Sequence, residues 1–87
     1  MDLKKTGDNL LQTIEKLEKM RNELINHNKV DSNEFVMLLE VKLQCVALLA
    51  TITAICEKGA AYILSNLSDI AKVDRQANEY VQLVESV

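Results

Sequence analysis

An all-α fold follows from three features of the sequence. The chain contains no proline and only two glycines in 87 residues, so it carries almost nothing that ends a helix. Good helix formers, Leu, Ala, Glu, Lys, Gln and Met, are abundant, and aromatic residues make up 3%. Leu3, Leu10, Leu17 and Leu24 recur every seven residues, which draws one apolar stripe along a helix. No repeat, low-complexity tract or linker divides the chain, so residues 1–87 are read as a single helical domain. A chain of this size buries only about 60–65% of its unfolded surface, which leaves stability marginal unless association or close helix packing assists.

The leucine repeat, with Ile14 complementary to it and Leu11 and Ile25 widening the stripe, predicts a first helix over about Asp8 to Ile25. The opposite face carries Glu15, Lys16, Glu18, Lys19, Asn22 and Glu23 and reads as solvated. Asn26, His27 and Asn28 then tolerate turn geometry and compete for backbone hydrogen bonds, which ends the helix. Asp31 with Glu34 three residues on fits a capping box, and Val30 with Phe35 a hydrophobic staple. The short connection folds the first two helices into an antiparallel hairpin.

The second helix holds CVALLATITAIC, residues 45–56, twelve positions without a charge. Its apolar residues are not confined to one stripe. Leu38, Cys45, Leu49, Ile52 and Cys56 point one way, and Leu39, Val46, Ala50 and Ile55 spread around. A helix apolar on most sides is covered on most sides, and the first helix covers only one. Further on, Ala60, Ile63, Leu67, Ile70, Asp74, Ala77, Val81 and Val84 are spaced alternately three and four apart, with Asp74 alone interrupting. Gly59 resembles a helix C-cap, yet helix-friendly residues resume at once. The seam also extends backwards in phase through Cys56, Thr53, Leu49, Val46, Lys42, Leu39 and Phe35. The expected architecture is therefore an antiparallel hairpin with a long C-terminal helix, kinked or broken near Gly59, giving two or three helices.

Composition excludes several function classes. The net charge is −3, the pI is about 5.0, and no basic face or run is present, which argues against nucleic acid as a partner. The N-terminus runs into polar residues, unlike a secretory signal, so a cytoplasmic location is expected. Fourteen uncharged residues separate Lys42 from Glu57, short of the roughly 20 that span a bilayer, so no membrane insertion is expected.

Residues able to carry chemistry are few. Cys45 and Cys56 lie three helical turns apart, about 16 Å, too far to pair within one helix. Their aliphatic surroundings predict two buried, unreactive thiols. His27 stands alone between two asparagines, without a carboxylate or cysteine at ligand spacing. With no phosphate loop, no nucleophile–base set and no clustered carboxylates, neither enzyme activity nor a metal or other cofactor is expected. Arg21 and Asp74 both interrupt apolar stripes. They either pair across the bundle or sit at its rim in water. Thr51, Thr53, Ser65 and Ser68 read as hydroxyls bonded to preceding carbonyls, and Tyr62 and Tyr80 suit a helix boundary or a partner contact.

The segment from Thr13 to Lys58, TIEKLEKMRNELINHNKVDSNEFVMLLEVKLQCVALLATITAICEK, combines a charged helix, a short Asn/Lys/Asp turn and a helix rich in Leu, Ala and Ile. In this layout it resembles the small co-chaperones of bacterial type III secretion systems, which pair with a tetratricopeptide-repeat chaperone to keep the needle subunit soluble. The resemblance implies that an outer face of the second helix, Leu38, Val41, Cys45, Leu48, Ile52 and Ile55, docks on the repeat chaperone as a helix in a groove. The rival reading is a self-assembling, coiled-coil-like homo-oligomer acting as a structural subunit or small regulator, with the 35–84 seam pairing to its own copy. A third is a monomeric three-helix bundle.

Overall fold

The computed structural model describes all 87 residues and consists of α1 (Leu3–Asn26), α2 (Asn33–Lys58), α3 (Ala60–Ser65) and α4 (Leu67–Glu85), with no strand. The all-α expectation holds, with two breaks in the C-terminal half instead of one. α1 starts earlier than Asp8 because Asp2 caps it, its carboxylate accepting from the Lys5 amide at 3.1 Å. It ends in a Schellman motif: Lys29 N–H donates to the Leu24 carbonyl and Asn28 N–H to that of Ile25, with Asn28 at φ 57°. The asparagine cluster stops the helix as expected, by supplying the one left-handed residue the motif needs. The start of α2 differs by one position. Ser32, not Asp31, is the cap, its hydroxyl accepting from Phe35 N–H at 3.2 Å.

α2 ends at Gly59, whose φ of 87° and ψ of 179° lie in a region open essentially to glycine alone. A methyl there would meet nothing within 4 Å, so the backbone dihedral and not space selects glycine. A second break at Asn66 separates the six-residue α3 from α4, with the Asn66 side chain donating to the Tyr62 carbonyl at 2.9 Å. The continuous 32–84 helix is thereby excluded. α3 has no fully buried residue, packs the half-buried Ile63 against the core and serves as a corner.

After that corner α4 runs back parallel to α1. Thr6 Oγ1 lies 2.6 Å from Asp74 Oδ1, and Lys16 Nζ donates to the Val84 carbonyl at 3.1 Å; both pairs are 68 residues apart, so the register is constant. The result is a three-lane bundle measuring 49 × 18 × 17 Å. Its core takes Leu3, Leu10 and Leu17 from α1, Leu38, Cys45, Leu48, Ile52 and Ile55 from α2, and Ile70, Ala77, Val81 and Val84 from α4. The predicted stripe is the core stripe from Ile70 to Val84, but Ala60 and Leu67 at its start are exposed, and its backward extension along α2 is not core. Leu39, Val46, Thr53 and Cys56 are exposed, because the two breaks rotate the chain between α2 and α4.

The register also separates Arg21 from Asp74. Asp74 lies level with Thr6, roughly 22 Å along α1 from Arg21. Asp74 accepts a hydrogen bond from the Thr6 hydroxyl and another from Asn78 Nδ2 at 3.3 Å, whereas Arg21 sits 3.6 Å from Glu18. Neither the cross-bundle pair nor two water-facing residues describes this arrangement, since Asp74 is half-buried with a partner of its own. The hydroxyl reading holds for Thr51 and Thr53, which donate to the Ala47 and Leu49 carbonyls at 3.0 and 2.9 Å.

The bundle is thin. Its radius of gyration is 14.7 Å, against about 12 Å for a compact chain of this length. Its accessible surface is 5947 Å², against about 5,200 Å² for a typical monomer of this mass. Val36, Met37, Leu39, Leu43 and Val46 of α2 are all exposed.

Candidate interaction site

Leu38, Val41, Cys45, Leu48, Ile52 and Ile55 do come together, but on the inside. They alternate three and four apart on the face of α2 that packs against α1 and α4; five are buried and Val41 is half-buried. The docking face implied by the layout is thus the wall of the chain's own core, and a partner reaches it only by displacing α1 or α4. Burial pushes the Cys45 thiol up from its ordinary pKa, in keeping with an inert, fully covered side chain. Cys56 differs from expectation. It is exposed near the end of α2, because the break at Gly59 turns the chain away before anything covers it.

The bundle register creates a different apolar site at the hairpin end. α4 stops at Glu85, level with Leu17 of α1, so α1 runs on for about nine residues, roughly 13 Å, beside the start of α2 with no third helix over them. The uncovered lane is an open groove of about 420 Å³. Leu17, Met20 and Leu24 form one wall, Met37, Leu38 and Val41 the other, and Leu83, Val84 and Val87 close the α4 end. Glu23, His27, Lys29 and Glu34 make the polar rim. The methionines on facing walls are flexible and polarisable, which suits a surface that adapts to what it holds. Of the six residues above, only Leu38 and Val41 reach this groove.

The two walls are tied by an ion pair next to the groove. Lys42 of α2 donates to Glu18 of α1, and Arg21 sits one turn further on. The hydrogen bond from Lys42 holds the Glu18 carboxyl below its ordinary pKa, aided by the charges of Lys42 and Arg21 and opposed by partial desolvation. At the α4 end, the Lys16 ammonium on the Val84 carbonyl places positive charge at a helix C-terminus, where the helix dipole favours it.

No three His, Cys, Asp or Glu side chains come together as ligands, and His27 caps α1 and borders the groove without an acidic partner. α2 by length and composition is apolar enough to cross a membrane, and only 22% of its most apolar window is buried by α1 and α4. Compared with known proteins, the chain matches no family model, no curated protein and no solved structure.

Proposed function

We propose that this chain is a non-catalytic interaction module that holds an amphipathic helix of another protein in the groove at the hairpin end. The observation that carries the reading is the vacant third lane: two helices keep apolar side chains directed into a channel coaxial with α4, over a length of roughly 13 Å. A lane lined by helices at this spacing accepts another helix by side-chain interdigitation. The occupant presents apolar residues at i, i+3 or i+4, and i+7. Glu23 and Glu34 on opposite rims favour basic residues beside that stripe.

A segment of two to three turns supplies two or three anchors, each worth about 1.5–3 kcal/mol when fully buried, less the cost of ordering the helix. The contact is accordingly weak and reversible, suited to holding a chain that must later be released. A co-chaperone of type III secretion, the role implied by the layout of residues 13–58, is a member of this class. Its contact with a repeat chaperone would then run through the groove and not through the buried face of α2.

Selection from a displayed library of short helical peptides tests the reading. Enriched sequences with apolar residues at i, i+3/i+4 and i+7, whose binding is lost in Met37→Glu at unchanged Tm, are the expected result. Met37 is 63% exposed, so that variant folds. Failure to enrich, or enriched peptides indifferent to Met37→Glu, contradicts it.

A further inference from the structure

The inner stripe of α2 does not end where the covered core ends. Glu34, Leu38, Val41, Cys45, Leu48 and Ile52 alternate four and three apart, so Glu34 holds the last place of the stripe that faces α1 and α4. It lies 18 residues, five full turns, from Ile52 and points the same way. Ile52 is 2% exposed whereas Glu34 is exposed, and the difference is position along the lane. Lys42 meets Glu18 level with the end of α4, and Glu34 stands eight residues, roughly 12 Å, beyond Lys42. Its carboxylate is in water because α4 does not reach over it.

We infer that Glu34 selects the occupant of the groove: a helix whose apolar stripe ends, three or four residues past its last anchor, in a lysine or arginine. The inference rests on the peptide-holding reading and names the partner's chemistry. A helix seated in the lane takes water away from the Glu34 carboxylate, and a carboxylate left unpaired under apolar cover is strongly unfavourable. The chain itself supplies no partner. Its two ion pairs are those of Glu18 with Arg21 and Lys42, and Lys29 and His27, which border the same end, form none with Glu34. Glu23, on the facing rim, is unpaired as well, so that end of the lane holds two free carboxylates beside Lys29 and His27.

A cation from the occupant is what this end lacks, and a neutral, apolar or acidic residue at that place is rejected. The first turn of α2 favours an acidic side chain through the helix dipole whatever the groove holds. The stability of Glu34 variants is therefore no measure of this role, and binding selectivity is.

The test is binding, by fluorescence anisotropy, of acetylated and amidated helical peptides with leucines at i, i+4 and i+7. Each carries Lys, Gln, Leu or Glu either four residues after the last leucine or four before the first. The wild type should bind the better-placed Lys peptide about tenfold more tightly than its Gln and Leu counterparts, and the Glu peptide least; the end at which Lys acts gives the direction of the bound helix. Glu34→Gln should reduce that preference to within about twofold, and Glu34→Lys should reverse it in favour of the Glu peptide. Glu34 is exposed, so both variants fold, which circular dichroism checks. Equal binding of the Lys and Gln peptides by the wild type, as when Lys29 swings over to neutralise Glu34, or a preference that survives Glu34→Gln, overturns the inference and leaves the groove a helix site. Binding of none of the peptides removes both that reading and this one.

Discussion

Gly7 is one of two glycines and lies in the interior of α1, where glycine costs about 1 kcal/mol relative to alanine. A methyl there would sit 3.6 Å from Ile52 Cγ2 and 3.7 Å from Leu49 Cδ1, ordinary packing distances. Gly7→Ala is therefore expected to stabilise the protein by about 0.5–1 kcal/mol in urea denaturation. Gly59 is the opposite case, since its positive φ strains any other residue. The two cysteines also separate at this scale. A thiol reagent should modify Cys56 at once in the native protein and Cys45 only after unfolding, one thiol and then two. The cysteine spacing alone suggested equal burial. The difference arises at Gly59, and a seven-residue pattern carries no information about where a chain turns away from its cover. Asp74 is similar: its interruption of the α4 stripe was plain in the sequence, but its partner Thr6 was not, because the pairing depends on the α1–α4 register.

Between elements, periodicity located the hairpin, the turn and the α4 stripe, because each rests on local propensity and on one buried face. It misassigned α2, where apolar residues surround the helix and no contrast marks the inner side. The groove walls were visible only in part. The leucine repeat of α1 continues to Leu24, whereas the α4 stripe ends at Val84, and only the fixed offset between these helices turns that mismatch into an uncovered lane. The Glu18–Lys42 clamp joins α1 to α2 beside that lane. Glu18 titrates below its ordinary value in the folded state, so its stabilising contribution is present above the ordinary carboxylate range and disappears as pH falls through the depressed folded value. Glu18→Gln should accordingly be less stable than the wild type at pH 7, with the gap closing on acidification towards pH 3. A gap independent of pH would show that the ion pair contributes nothing.

At the scale of the whole molecule, the excess surface follows from a long, narrow bundle of three helices in which the most apolar helix, α2, is covered on one side only. α1 and α4 cover one side of α2, and the other side remains open. The sequence posed this as one question, what covers residues 45–56. The structure divides it: the inner stripe is covered by the chain itself, and the outer stripe and the end groove are left exposed. That division rests on which neighbours in α2 face inward, and adjacent residues 47 and 48 report on it directly. The decisive measurement is urea denaturation of Ala47→Glu beside Leu48→Glu at low protein concentration. Ala47→Glu should stay within about 0.5 kcal/mol of the wild type, and Leu48→Glu should lose more than about 4 kcal/mol or fail to fold, because it buries an unpaired charge. A stable Leu48→Glu beside an unfolded Ala47→Glu would place the core on the opposite face of α2 and contradict the account.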